Sequence, residues 1–199
     1  GKKFTVALRE DGTVWAWGDN TYGQLGQGNR VSAKKPVQVQ NLTNIVSIAA
    51  GDNHAIAIDN LGNVYTWGLN SKGQLGNGTT QTVSIPEKIT GLDNQMVKIA
   101  AGGNLSAIID STGDVYVFGD NSKEQIEEFK YNYDQYGQKI MPPLNMYVSQ
   151  PVKVQTIENA VKVQCLQTGI VVLKTDESVV RTTKYASQTN AEKTIIADG

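Results

Sequence analysis

One cysteine and one histidine stand among 199 residues. Cys165 has no partner for an intramolecular disulfide, and His54 has no second imidazole or pair of thiolates with which to build a structural zinc site. Charge is scarce as well. Charged residues make up 19% of the chain, against roughly 25% in ordinary soluble domains. The 18 Lys+Arg nearly balance the 19 Asp+Glu, leaving −1. The basic footprint of a nucleic-acid binder is missing, so no nucleic acid is expected as a direct partner. No apolar run approaches the roughly 20 residues of a membrane span, so no membrane insertion is expected. Gly1-Lys2-Lys3-Phe4 leads into patterned sequence rather than a signal peptide, so any export signal is expected upstream of residue 1. Asn, Gln, Thr and Ser take the place of charge, a composition common on secreted β-proteins. The expected location is extracellular or on the cell surface, with the cytoplasm as the alternative.

What the chain does have is a repeat. Thr13-Val14-Trp15-Ala16-Trp17-Gly18 runs into Gly23-Gln24-Leu25-Gly26, and Asn63-Val64-Tyr65-Thr66-Trp67-Gly68 into Gly73-Gln74-Leu75-Gly76. An eroded third version ends in Val117-Phe118-Gly119. Gly18 to Gly68 is 50 residues and Gly68 to Gly119 is 51; Pro36 to Pro86 is 50; Gly51 to Gly102 is 51, each of those two glycines closing an Ile-Ala-Ala-Gly. A period near 50 is too long for a pair of helices and fits a four-stranded propeller blade. The periods run roughly 1–50, 51–101, 102–165 and 166–199, in one domain spanning 1–199. The predicted class is therefore all-β: a β-propeller of four-stranded antiparallel blades, about four of them present, as a partial propeller or a segment of a larger ring.

Within a period the strand order is legible. Ile45-Val46-Ser47-Ile48-Ala49-Ala50 is β-branched and then small, as a strand beside a crowded central shaft requires. His54 to Asp59 and Val64 to Gly68 follow as alternating strands. Lys35-Pro36 and Pro86 open outer strands, where a missing ladder donor is tolerated. Asp11-Gly12 marks a hairpin turn. The first period lacks an inner strand, and the fourth is degenerate, with Arg181-Thr182-Thr183 where Trp-Gly belongs and no identifiable outer strand. Ile195-Ile196-Ala197-Asp198-Gly199 repeats an inner-strand ending, in register to fill the vacancy beside Phe4 in this chain or another. Self-association, or further blades outside this segment, would cover the end faces.

The third period carries an insertion of 14 residues, since Gly119 to Pro151 is 32 where Gly68 to Pro86 is 18. The inserted region, 124–150, holds Phe129, Tyr131, Tyr133, Tyr136, Met141, Met146 and Tyr147. Aromatic and methionine side chains on a long excursion from a rigid scaffold suit protein recognition. The bland reading is a cover for an exposed blade edge or a disordered loop; separately, a short helical turn around Glu124 to Tyr133 is the one departure from strand expected in the chain.

With Ala49-Ala50-Gly51, His54, Asp11-Gly12, Trp17-Gly18, Trp67-Gly68 and the two Gly-Gln-Leu-Gly runs in view, the chain resembles the regulator of chromosome condensation repeat family. The resemblance implies a β-propeller, usually closed with seven blades, about twice what is present here. It implies little about activity, because the family includes an exchange factor for a small GTPase that also docks on chromatin and a secreted inhibitor of β-lactamases.

Trp17, Gly18, Gly51, His54, Trp67, Gly68, Gly102, Phe118 and Gly119 recur at fixed repeat positions and read as structural core. His54 sits where the family has a histidine, which favours a structural hydrogen bond over catalysis. Cys165 stands in for the second alanine of Ala-Ala-Gly and reads as a small buried thiol. The glycine-rich runs match neither a P-loop nor a dinucleotide fingerprint. No catalytic residues, metal or cofactor are expected. Two functional readings remain: a non-catalytic protein-binding module, bacterial and on the surface or secreted, or a regulator of another enzyme, by nucleotide exchange on a small GTPase or by inhibition of a secreted enzyme.

Overall fold

The computed structural model describes residues 1–123, 126, 132–133, 135–136, 138–140, 146–182 and 192–194. Among them every regular element is a strand. The first sheet holds β1 (Phe4–Leu8), β2 (Val14–Gly18) and β3 (Ala33–Gln38), in that spatial order; the second holds β4 (Ile45–Ala50), β5 (His54–Asp59), β6 (Val64–Gly68) and β7 (Val83–Lys88). The third opens with β8 (Met96–Gly102), β9 (Leu105–Asp110) and β10 (Val115–Asp120). The chain then makes the small ribbon of β11 (Asn132–Tyr133) and β12 (Lys139–Ile140) before returning as β13 (Tyr147–Lys153) on the outside of β10. The fourth holds β14 (Ala160–Leu166), β15 (Gly169–Lys174), β16 (Val179–Thr182) and β17 (Glu192–Thr194). All pairings are antiparallel.

These are four successive blades. The first strands face the shaft: β4 lies against β1 and β8, and β8 against β14. Pro36, Pro86 and Pro151 all fall on the outer strands β3, β7 and β13. Among the described residues the first sheet has no inner strand, in line with its sequence. The fourth differs from expectation: β17 pairs with β16 and supplies an outer strand, which carries no proline to announce it. Residues 195–199, with the inner-strand-like ending, lie outside the described residues, as does nearly all of the segment given a helical turn; Asn132 and Tyr133 within it are extended.

The apolar core divides by blade interface. Phe4, Val14, Ala16 and Leu25 of the first blade pack on Ile45, Ala55, Ala57 and Trp67 of the second. Ile56, Ile58 and Val64 pack on Met96, Ile108 and Phe118. Leu105, Ala107 and Ile109 pack on Val163, Ile170 and Val172. Alternate residues of one strand thus serve opposite neighbours, which is the period-2 pattern of a sheet buried on both faces.

The glycine of each Trp-Gly or Phe-Gly has a backbone reason. Gly18, Gly68 and Gly119 have φ of 108°, 102° and 118°, in a region that side chains rarely adopt. Each sits at a register shift toward the outer strand. A Cβ on Gly18 or Gly68 would lie 2.5 Å from the carbonyl oxygen of Lys3 or Asn53. In the fourth blade the glycine crosses the ladder: Gly169 opens β15, φ is 150°, and a Cβ there would collide with the Thr182 carbonyl of β16. Glycine thus stands on the opposite strand in the period whose sequence has Arg181-Thr182-Thr183 in place of Trp-Gly.

Candidate functional site

Antiparallel order puts the β2–β3, β6–β7 and β10–β13 connections at one end of the blades, together with the turns that join each inner strand to the next. The two regular loops are built alike. Asn20 Oδ1 accepts the amide of Leu25 at 2.9 Å, and Asn70 Oδ1 that of Leu75 at 3.0 Å. The Asn20 Nδ2 donates to the carbonyls of Asn29 and Val31, and the Asn70 Nδ2 to Thr79 and to Asn77 Oδ1. Gln24 and Gln74 close the tip by accepting from the amides of Tyr22 and Lys72, each at 2.8 Å. Leu25 and Leu75 are driven into the core.

The inserted loop begins in the same way, although Gly-Gln-Leu-Gly has become Glu-Gln-Ile-Glu. Asn121 Oδ1 accepts the amide of Ile126 at 2.9 Å, and Ile126 is buried in the interface of the third and fourth blades. Beyond this anchor Tyr133 is 58% and Tyr136 80% exposed. Met146 is half-buried, and Tyr147, 44% exposed, lies in the outer strand β13. Phe129, Tyr131 and Met141 lie outside the described residues. The asparagine anchors were missed in the sequence, yet they carry a signal: Gly18-Asp19-Asn20, Gly68-Leu69-Asn70 and Gly119-Asp120-Asn121 place an asparagine two residues after each repeat glycine.

Beside the insert root, the mouth of the shaft holds a polar cavity of about 200 Å³ lined by Asp52, Gly103, Asn104, Asp120, Lys123 and Gln167. Among the described residues no group of His, Cys, Asp and Glu is arranged to hold a metal ion. Gly51 and Gly102 end the inner strands at this mouth; a side chain on Gly51 would meet His54 and one on Gly102 the Cys165 backbone.

His54 lies below the mouth, fully buried, with its Nε2 2.9 Å from Ser106 Oγ. A His–Ser pair invites comparison with nucleophilic catalysis, but the protons run the wrong way. Ser106 Oγ donates its only proton to the Gln74 carbonyl at 2.8 Å, so Nε2 must donate to Ser106 rather than take its proton. Both residues are sealed from solvent. Burial lowers the His54 pKa to about 4, which keeps the ring neutral, and Nδ1 has no hydrogen-bond partner among the described residues. The pair joins two blades. Cys165 is buried with its thiol pKa pushed up by desolvation, the setting of an unreactive thiol. Trp67 and Phe118 are fully buried, whereas Trp17 is half-buried.

Four antiparallel sheets around a shaft, with an asparagine-anchored loop at each interface and a buried aromatic residue, Trp67 or Phe118, at the first two, define a β-propeller built of sequence repeats. The chain belongs to the regulator of chromosome condensation repeat family: the Regulator of chromosome condensation (RCC1) repeat matches at residues 11–58 and 62–109, and a second profile of the same description at 45–74 and 96–125. It is 36% identical over 129 residues to the human E3 ubiquitin-protein ligase HERC2, which covers 63% of this chain and 3% of that protein. It is also 36% identical over 127 residues to the Arabidopsis thaliana mitochondrial RCC1 domain-containing protein RUG3, covering 62% of this chain and 28% of that one. Among solved structures it is similar to human WBSCR16, with a TM-score of 0.78 at 20% identity over 97% of this chain and 50% of that one. Yeast RCC1 (Prp20) with Kap60 bound gives 0.72 at 26% identity over 91% and 42%. The chain thus spans about half of these propellers and a smaller share of the two relatives.

Proposed function

We propose that this chain is a non-catalytic protein-binding module whose recognition surface is the loop-bearing end of the blades, centred on the 124–150 insert. The observation that carries this reading is the exposure of Tyr133, Tyr136 and Tyr147 around an insert whose root is fastened into the core by Asn121 and Ile126. Exposed tyrosines on a rigid base contribute large contact area at low entropic cost. The His54–Ser106 pair, with its proton directed away from the imidazole, supports the non-catalytic part. Composition alone supports a place outside the cell or on its surface.

The test is a photo-crosslinking residue placed at Tyr133, Tyr136 or Tyr147, with Leu61 as control, since that exposed side chain lies in the β5–β6 turn at the opposite end of the second blade. Discrete crosslinked species from the three tyrosine positions and none from Leu61 are expected; equal labelling from both ends would remove the insert from the site. A regulator of a small GTPase is the second reading, favoured by the likeness to yeast RCC1, whose crystallised form has been described together with its binding to Gsp1p and histones. Accelerated release of labelled nucleotide from a small GTPase on adding the chain would establish it.

A further inference from the structure

Each of the inner strands β4, β8 and β14 carries a β-bulge near its start. The register with the second strand breaks between Ile45 and Ser47, between Met96 and Lys98, and between Ala160 and Lys162, so one residue of each strand is extra to the ladder. The amide just before each break bonds to the preceding blade: Ile45 to the Gly12 carbonyl at 3.1 Å, Met96 to that of Gly62 at 3.4 Å and Ala160 to that of Gly113 at 3.0 Å. Docking to the neighbouring blade thus accounts for the bulge. It does not account for the residue placed there, which is valine in all three strands. Val46, Val97 and Val161 are 57%, 41% and 40% exposed, at the end of the blades opposite the insert.

Between the third and fourth blades, two of these valines open onto a cavity of about 340 Å³. It is lined by Val97, Lys98 and Thr112 from one blade and by Ala160, Val161 and Thr175 from the other. That volume lies within the range of small-molecule pockets. Two charged groups border it. Asp110 is buried, and its carboxylate accepts the Asn94 side-chain amide at 2.8 Å, the Thr112 hydroxyl at 2.7 Å and the backbone amides of Thr112 and Asp114 at 2.9 and 3.0 Å, so its charge is already satisfied. Lys98 pairs across the ladder with Ile109, which packs toward the fourth blade, so the lysine leaves its strand on the cavity side. It is exposed and has no ion-pair partner among the described residues. The second blade has Ser47 at this position, and Lys162 of the fourth pairs with Leu173, on the face away from the cavity. The cation therefore belongs to this seam and not to the repeat. An apolar slot with one unmatched positive charge at its rim suits a ligand with an apolar body and a single negative charge.

We propose that this cavity is a binding site for a small aliphatic monocarboxylate, its hydrocarbon held between Val97 and Val161 and its carboxylate on the Lys98 ammonium. Hydrocarbon burial against the valines supplies the affinity, and the exposed lysine sets orientation and the preference for charge. The site lies at the other end of the blades from the insert and does not rest on the protein-binding reading.

The test follows the valine and leucine methyl resonances of the full chain as octanoate is added below its micelle concentration. Octanamide, which lacks the charge, and acetate, which lacks the chain, are titrated in parallel. Saturable shifts centred on Val97 and Val161 are expected with octanoate, about fivefold weaker binding with octanamide, and no saturation with acetate. Lys98→Met should bring octanoate down to the affinity of octanamide, Lys98→Arg should keep it, and Lys162→Met should leave it unchanged. Both lysines are exposed, so the fold survives each change, and unaltered amide resonances away from the cavity verify that. Equal affinity for octanoate and octanamide, or wild-type binding by Lys98→Met, would overturn the proposal. Shifts of equal size at Val46 and Leu61 would overturn it as well, because they mark adsorption to any exposed apolar side chain.

Discussion

The interface between the second and third blades and that between the third and fourth use the same strand positions for different chemistry. In the former, His54 donates to Ser106 across the gap, and among the described residues the second ring nitrogen has no hydrogen-bond partner. In the latter the same position holds Leu105, packed with Ala107 and Ile109 on Ile170 and Val172. The propeller thus accepts either a buried hydrogen bond or a wholly apolar contact at this point. Net hydrogen-bond gains of about 1 kcal/mol in a buried site do not exceed what a leucine of similar volume contributes by burial. The difference lies in the response to pH.

Breaking the apolar interface should have the largest effect. Leu105→Ala is expected to cost about 2–5 kcal/mol, as buried leucine truncations do, read from urea unfolding midpoints; a loss below 1 kcal/mol would mean that the third and fourth blades are not tightly packed. Acid should act on the other interface. The His54 pKa is lowered from 6.5 to about 4, so as pH falls through 6.5 the unfolded chain takes up a proton that the folded chain refuses. Stability is intact above pH 6.5 and drains between there and about 4, by about 1.4 kcal/mol per unit or about 3 kcal/mol in all. Buried carboxylates titrate below this window. Burial raises the pKa of Asp59 and Asp110, but hydrogen bonds from Asn63 and Leu61, and from Asn94 and Thr112, outweigh it, so both stay below the ordinary carboxylate value. The difference between the wild-type chain and His54→Leu isolates the imidazole.

Asn121→Ala sharpens the comparison at the loop that feeds the apolar interface. It strands the buried amide of Ile126, at a cost of about 1–3 kcal/mol, and should make the insert the first site of limited proteolysis; an unchanged cleavage pattern would count against the anchor. The smallest effect belongs to His54→Leu at pH 7. Leu105 shows that leucine is accommodated at this repeat position, and Ser106 keeps its bond to Gln74, so the change should be within about 1 kcal/mol while the acid sensitivity between pH 6.5 and 4 disappears. A mutant that keeps the full slope would place the titrating group elsewhere.

The sequence by itself determined the period near 50, the blade as the unit, the inner strands with their Ile-Ala-Ala-Gly, the prolines on outer strands and the absent inner strand of the first blade. These are local patterns: alternation, β-branched runs, glycines and prolines act within a few residues of themselves and read out along the chain. Tertiary structure decided the rest, because the relevant partners are far apart in sequence. Trp67 meets Gln24, 43 residues earlier, and His54 meets Ser106, 52 later, and no property of either residue names the other. The same separation hid the proton direction at Ser106, which depends on the Gln74 carbonyl above it. It hid the crossing of the repeat glycine to Gly169 and the outer strand β17, both of which follow from cross-strand register. It also hid the difference between Trp17 and Trp67: two tryptophans at the same repeat position become different residues in the fold because, among the described residues, only Trp67 has a loop laid over it.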